Sequence, residues 1–199
     1  MTDIVIKRGW DIGQSTRIAT LYDEAFGFKF SGAIANKEVR VRILSKSFIP
    51  DFSYVAFVDH EIVGLAGFQA HYGSFTGGMS LSVLIDELGV ASGIWAATVL
   101  SLFERKPKAQ ELIMDGIVVD SKFRGKGIGS MLLDSIVSHA GKNGYDSVRL
   151  DVIVVRPDFS RQFLGFENTL LQRLLVSTCH CVCDAVLDYK TFQYNGILS

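Results

Sequence analysis

The segment from Glu111 to Tyr145 constrains the fold more than any other part of the chain. It begins with ELIMDGIVV, a run of large apolar residues that is typical of a buried strand. Its last part carries apolar residues at helical spacing, namely Ile128, Leu132, Leu133, Ile136, Val137 and Ala140. Between them lies the turn RGKGIG, with three glycines and two cations. A strand, a glycine-rich cationic turn and a helix start together predict a binding site for an anion.

Length and composition predict a globular protein. The chain has 199 residues, of which 48% are hydrophobic and 21% are charged. We therefore expect residues 1–199 to form a single domain, with an atypical C-terminal part from about residue 155. The formal net charge of −1 provides no general attraction for nucleic acid, so no nucleic-acid partner is expected.

The cysteines and the N-terminus predict a cytoplasmic location. The three cysteines crowd together at positions 179, 181 and 183, which cannot form a disulfide framework. The start, MTDIVIKRGW, lacks the pattern of a signal peptide. The uncharged segment Leu88–Phe103 is shorter than the roughly 20 residues that span a bilayer, so no membrane partner is expected. We expect it to form a buried helix, a subunit contact in a possible homodimer, or a wall of the substrate cleft.

The periodicity along the chain predicts a mixed α/β order. Strands are expected at residues 4–6, 53–58, 62–69, 111–119, 147–154, 170–176 and 179–187, and helices at 15–26, 37–48 and after the glycine turn. Gly27 is expected to close the first helix. Pro107 is expected to end one helical region of roughly 20 residues. An antiparallel start, one strand–helix–strand crossover and further strands predict the α/β (α+β) class.

Two familiar phosphate-binding turns do not match the glycine turn. A Walker A loop would need glycine at position 120 and a hydroxyl at position 127, where the chain has Asp120 and Gly127. A dinucleotide fingerprint would need a third glycine at Ser130 and no gap after the strand. A purely structural turn is the remaining alternative, but three glycines beside two cations cost conformational entropy without a gain in packing.

The pattern Arg124-x-x-Gly127-x-Gly129, preceded by the strand end Ile117-Val118-Val119-Asp120, resembles the coenzyme-binding loop of the GNAT acyltransferase superfamily. The resemblance extends from about Tyr54 to Val152. It implies the GNAT fold, with a mixed central sheet that is splayed at the cofactor cleft and flanked by helices. It also implies acetyl-coenzyme A (acetyl-CoA) as cosubstrate, with no metal, and transfer of an acetyl group to a primary amine, most simply that of a small molecule.

The same resemblance implies a role for each residue of the loop. The main-chain groups of Ile117 and Val119 would bind the pantetheine arm as if it were an added strand, and Arg124 would shape and charge the loop. The pyrophosphate would be held by the backbone amides of Gly125, Lys126, Gly127, Ile128, Gly129 and Ser130.

Acyl transfer to an amine needs a base and a donor for the oxyanion. Asp115 is a carboxylate within an apolar strand, where burial raises the pKa of a carboxyl group, so it is a candidate base and alternatively a structural residue. Gly116 lies mid-strand and predicts a β-bulge, so the amide of Gly116 or Ile117 is the candidate oxyanion donor. His71 is a second candidate base, and His139 is expected to lie at the surface or at an interface.

The C-terminal part departs from the family pattern. Family members usually place a tyrosine acid four residues before a Gly-Phe pair. Gly165-Phe166 is present here, but position 161 is arginine. Tyr145, Tyr189 and Tyr194 cannot be placed by their sequence. The triplet Cys179, Cys181 and Cys183 predicts ordinary strand packing rather than a metal site. A non-catalytic acyl-CoA-binding or regulatory domain therefore stays as the alternative function.

Overall fold

The computed structural model describes residues 3–101, 106–154 and 181–188. The strands are β1 (Ile4–Arg8), β2 (Ser53–Val58), β3 (Glu61–Ala70), β4 (Gly73–Ser74), β5 (Glu111–Val119), β6 (Ser147–Val154) and β7 (Cys181–Asp188). The helices are α1 (Ser15–Ser31), α2 (Lys37–Ser47), α3 (Leu81–Leu88), α4 (Val90–Ser101) and α5 (Ile128–Lys142). Most of the predicted elements are thus confirmed, whereas the strand predicted at 170–176 lies outside the described residues.

The strands form one mixed sheet. Its order is β1-β2-β3-β5-β6-β7, and the short β4 pairs with β3 beside this path. Strands β5 and β6 are parallel, while the other neighbours are antiparallel. Helix α5 provides the crossover that a parallel pair requires. The predicted α/β (α+β) class is confirmed.

Helices α1 and α5 cover opposite faces of the sheet. Phe68 of β3 packs on His139 of α5, with ring centroids 4.8 Å apart. The preceding residue, Gly67, faces Phe75 on the other side of the sheet. The ring centroids of Phe75 and Tyr22 of α1 are 5.6 Å apart. Successive residues of a strand point to opposite faces, so each helix buries its own layer of core side chains. Strand β5 lies between the two layers.

The prediction that Gly27 closes the first helix is wrong, since α1 continues to Ser31. Gly27 is buried within the helix, and a Cβ built on it would lie 2.5 Å from the Oδ1 atom of Asp23. The Asp23 carboxylate accepts two hydrogen bonds from the Arg40 guanidinium of α2. The glycine therefore makes room for a buried ion pair between α1 and α2 instead of ending the helix.

The prediction of one continuous helical region before Pro107 is also wrong. The region divides into α3 and α4 at Gly89, whose φ of +78° and ψ of 165° cannot occur within an α-helix. The two helices then pack closely, because a Cβ at Gly93 would lie 2.8 Å from the backbone of Ile85. In the described ranges, with their gaps at 102–105 and 155–180, no helix is long and apolar enough to cross a membrane.

Candidate active site

Strand β5 separates from β6 about halfway along its length. Parallel pairing with β6 covers only Glu111 to Met114 of β5. Beyond this point β6 stays paired with β7 as far as Val154, and β5 stays paired with β3 as far as Val119. The sheet therefore opens between β5 and β6, in agreement with the prediction of a splayed sheet.

A β-bulge marks the point of separation. Gly67 of β3 pairs with Gly116, but Phe68 pairs with Met114, so Asp115 is an additional residue in β5. Gly116 has a φ of +147°, a conformation that residues with a side chain rarely adopt. The predicted bulge is thus confirmed, and the half-buried Asp115 lies where the two strands part.

The backbone beyond the bulge faces the opening at alternate residues. The N–H of Asp120 donates to the carbonyl of Val63 in β3 at 2.8 Å. Because backbone groups alternate sides along a strand, Val118 also points toward β3, while Ile117 and Val119 point away from it. The N–H and C=O groups of Ile117 and Val119 are therefore directed into the gap between β5 and β6.

The turn that follows β5 is held together by side-chain hydrogen bonds to its backbone. Oδ1 of Asp120 accepts a hydrogen bond from the N–H of Lys122 at 3.1 Å, which closes a short 3₁₀ turn. Nε of Arg124 donates to the carbonyl of Val119 at 3.2 Å. Arg124 therefore ties the turn to the end of β5, and its contact with a ligand stays a prediction.

Gly125 and Gly127 determine the backbone path of the turn. Their φ angles are +75° and +77°, and no atom lies within 4 Å of a Cβ built on either residue. Backbone conformation and open space, rather than packing, therefore account for glycine at both positions. In helix α5 the N–H of Met131 bonds to the Gly127 carbonyl at 3.1 Å. The N–H groups of the three preceding residues, Ile128, Gly129 and Ser130, point outward from the start of the helix.

Positive charge surrounds the turn. Lys122, Arg124 and Lys126 are all exposed, and Nζ of Lys126 lies 4.9 Å from the centroid of the Phe123 ring. The N-terminus of α5 adds a partial positive charge, so the turn suits a phosphate-type anion. Within the part of the chain that the structure describes, no group of three or more His, Cys, Asp or Glu residues could hold a metal ion.

The ring of Phe26 in α1 covers the bulge on one face of the sheet. A Cβ built on Gly116 would lie 2.7 Å from the Cζ atom of Phe26. Tyr22, one helical turn earlier, packs on this ring with centroids 4.8 Å apart, and Nζ of Lys29 lies 4.9 Å from its centroid. Gly116 therefore lacks a side chain where an aromatic ring approaches the backbone, a contact that nothing in the sequence indicates.

Arg17 of α1 is a second residue that the sequence gives no reason to place here. Its Nη2 atom donates to Oδ2 of Asp120 at 2.7 Å and to the carbonyl of Ile62 at 3.1 Å. The Arg17 hydrogen bond is the main reason why the pKa of the Asp120 carboxyl is lowered. Helix α1 is thus tied to the first residue of the turn.

His71 lies at the other end of β5. It is exposed in the turn after β3, where its ring meets that of Tyr72 at 5.1 Å. The register pairs Gln69 with Ile113, so His71 is level with the start of β5. That position is about 13 Å along the strand from Asp115, at roughly 3.3 Å per residue. The structure does not bring His71 to the bulge.

The expectation that His139 lies at the surface or at an interface is wrong. His139 is 4% exposed, and its Nδ1 atom lies 3.2 Å from the hydroxyl of Tyr54. It continues the apolar stripe of α5 that faces the sheet and packs on Phe68. Burial, followed by the nearby charge of Arg8, lowers the pKa of His139.

Tyr145 is placed away from the opening. It is 7% exposed, and burial together with a hydrogen bond to Tyr72 raises its pKa to about 12. The next residue, Asp146, donates its N–H to the carbonyl of Gln110, so Tyr145 lies at the start of β5 rather than near the bulge. The remaining residues singled out in the C-terminal part lie outside the described residues, namely Arg161, Gly165-Phe166, Cys179, Tyr189 and Tyr194.

A sequence model of the acetyltransferase (GNAT) family matches residues 18–166. This range includes β5, the glycine turn, α5 and Phe26, which covers the bulge, but not Arg17. In a comparison with curated proteins, none matches significantly.

Three solved structures are similar to this chain at low sequence identity. The crystal structure of an acetyltransferase is 19% identical over 75% of this chain and 80% of its own, with a TM-score of 0.51. The ribosomal-protein-S18-alanine N-acetyltransferase from Escherichia coli is 11% identical over 78% of this chain and 70% of its own, with a TM-score of 0.45. An N-acetyltransferase from Staphylococcus aureus Mu50 is 15% identical over 78% of this chain and 77% of its own, with a TM-score of 0.46.

Proposed function

The chain belongs to the acetyltransferase (GNAT) family, and on this premise we propose that it transfers an acetyl group from acetyl-CoA to a primary amine of a small molecule. One observation supports this function most strongly. The strand edge that opens beyond the bulge leads, through the short 3₁₀ turn at Ser121–Phe123, into a glycine turn with exposed cations at the start of a helix. An extended arm that ends in a pyrophosphate matches both parts of this surface.

The described residues fit coenzyme A in two ways. Ile117 and Val119 direct their backbone groups into the opening, where an extended pantetheine arm can add to β5 as another strand would. The open space over Gly125 and Gly127 lets phosphate oxygens approach the amides of the turn and of the helix start. Lys122, Arg124 and Lys126 offset the negative charge of the coenzyme.

The bulge would supply the oxyanion donor. The register directs the N–H of Ile117 into the opening, so of the two amides predicted for this role it is the better oriented. A backbone N–H fixed in a sheet needs no reorganisation when negative charge develops on the thioester oxygen. Gly116 would position this amide through its unusual φ angle.

Asp115 would act as the base at the same point of the strand. Its carboxylate would take a proton from the acceptor ammonium, directly or through water, so that the neutral nitrogen can attack the thioester carbonyl. The C–N bond then forms, the C–S bond breaks, and the coenzyme leaves as a thiolate that takes up a proton. The half-buried position of Asp115 supports this role.

The experiment that tests the function combines binding with turnover. Calorimetry should detect acetyl-CoA binding, and a thiol-release assay over a broad panel of small primary amines should detect turnover. Absence of binding would contradict the proposal, while binding without turnover on any amine would favour the non-catalytic acyl-CoA-binding alternative. In the active protein, Asp115→Asn should flatten the pH–rate profile and leave the affinity for acetyl-CoA unchanged. An unchanged profile would make Asp115 a structural residue.

A further inference from the structure

Arg17 of helix α1 holds Asp120, the residue that begins the 3₁₀ turn before the glycine turn. Its Nη2 atom donates to Oδ2 of Asp120 at 2.7 Å, and both Nε and Nη2 donate to the carbonyl of Ile62, at 3.3 Å and 3.1 Å. The guanidinium thus bridges the β2–β3 hairpin and the turn. A planar group with three hydrogen bonds is fixed in orientation far better than a single surface ion pair.

Three hydrogen bonds hold Asp120 and thereby fix the start of the turn. Its N–H donates to the carbonyl of Val63 at 2.8 Å, its Oδ1 accepts from the N–H of Lys122 at 3.1 Å, and its Oδ2 accepts from Arg17. The carboxylate side chain is 17% exposed. Movement of Asp120 would therefore displace the turn that follows it.

The charge of Asp120 opposes the ligand that the turn would bind. Between Asp120 and Ser130 the chain carries one carboxylate and three cations, Lys122, Arg124 and Lys126. A carboxylate at the edge of a pyrophosphate site repels the ligand, and the repulsion acts over the roughly 10 Å Debye length of 0.1 M salt. Nη2 of Arg17 lies 2.7 Å from Oδ2 of Asp120, so the guanidinium offsets the negative charge of this carboxylate.

We propose that Arg17 is a positioning residue of the coenzyme site, which holds Asp120 in place and neutralises it so that the turn presents only positive charge to an anionic ligand. The inference rests on the proposed function and extends the site to α1. Arg17 acts through Asp120 and makes no contact with the reacting atoms.

The test is a double-mutant cycle measured by calorimetry with acetyl-CoA. Arg17→Met leaves Asp120 uncompensated, and we expect roughly fivefold weaker binding at 0.1 M salt. Asp120→Asn keeps an oxygen that can accept from the N–H of Lys122, so we expect affinity within about twofold of the native value. The combination of both changes should recover most of the loss. At 1 M salt, where the Debye length is about 3 Å, the effect of Arg17→Met should shrink.

Arg42→Met is the matched control. Arg42 is an exposed arginine of α2 that pairs with Glu87, so its loss changes the net charge of the protein by the same amount without removing the partner of Asp120. Thermal unfolding of each variant confirms that it is folded at the temperature of the titration.

Three results would overturn the inference in different ways. If Arg17→Met weakens binding no more than Arg42→Met does, Arg17 has no role in the site. If Asp120→Asn fails to recover the loss, Arg17 acts through the Ile62 carbonyl alone and the charge argument is wrong. If the native protein does not bind acetyl-CoA, the proposed function fails, and the inference fails with it.

Discussion

The two halves of strand β5 differ in what lies beside them. From Leu112 to Met114 the residues are at most 1% exposed, and the backbone is paired with β6 and, from Ile113, also with β3. From Asp115 to Val119 the pairing with β6 has ended, and most residues are half-buried. The bulge at Asp115 and Gly116 separates the two halves. One strand thus provides both the centre of the core and the edge that a ligand can use.

The difference shows how a stable fold can offer backbone groups that are not paired with a neighbouring strand. An open edge in the middle of a sheet is normally unfavourable, because its N–H and C=O groups need partners. Here the closed half anchors the strand, and β3 continues to support the open half on one side. Variants in the closed half should therefore change stability, and variants in or beyond the open half should change binding.

The largest effect is expected from Gly127→Glu, which places a side chain and a negative charge in the open space over the turn. We expect acetyl-CoA affinity to fall more than about a hundredfold, since charge repulsion adds to the loss of close approach. Gly144→Glu is a matched control, because Gly144 has a φ of +75° and equally open surroundings outside the site. Equal affinities of the two variants in calorimetry would show that the turn does not bind the coenzyme.

In the closed half, Leu112→Ala removes a side chain that is fully buried. The free energy of unfolding should fall by about 3 kcal/mol, in the usual range for a core leucine. Val119→Ala in the open half should cost only about 1 kcal/mol, because that side chain is half-buried. Denaturant titration measures both values. Similar losses for the two variants would mean that the halves do not differ in packing.

At the boundary, Gly116→Ala adds a Cβ where φ is +147° and where the Phe26 ring is 2.7 Å away. Strain of the backbone and the contact together should lower the free energy of unfolding by about 2 kcal/mol. Gly13→Ala is the control, since nothing lies within 4 Å of a Cβ there. Adding Phe26→Ala to Gly116→Ala should relieve the contact but not the backbone strain. A Gly116→Ala protein as stable as the control would show that the bulge tolerates a side chain.

The smallest effect concerns His139, which packs on Phe68 beneath the closed half. Burial, and then Arg8, lower the pKa of His139 in the folded protein, so the unfolded chain binds the proton first as the pH falls. The contribution of neutral His139 to the free energy of unfolding is therefore fully present above about pH 6.5. It declines at lower pH, by at most about 1.4 kcal/mol per pH unit. Urea titrations at several pH values should show a shallower decline for His139→Gln.

The sequence predicts those parts of the molecule whose signals are local. Strand β5, the turn and α5 follow one another within a single segment, so their periodicity and glycines suffice to identify them. The bulge is likewise indicated by one glycine within an apolar strand. The fold class follows from the order of such elements.

Apart from the division of one helical region at Gly89, the errors and omissions involve contacts between distant residues. Gly27 resembles the end of a helix, but glycine is needed there because a side chain would collide with Asp23, which pairs with Arg40 of the next helix. His139 looks like a surface residue until the position of α5 over Phe68 is known. Arg17 and Phe26 carry no motif, and only the packing of α1 on the sheet brings them to the turn and the bulge.

The most direct test of the central claim is to observe which half of β5 contacts the coenzyme. In protein labelled with ¹⁵N and saturated with acetyl-CoA, intermolecular NOEs from backbone amide protons can be assigned residue by residue. We predict NOEs between the pantetheine protons and the amides of Ile117 and Val119, and none at Leu112 or Met114. If the protein is saturated with acetyl-CoA but shows NOEs only at other elements, and none at Ile117 and Val119, the account is contradicted.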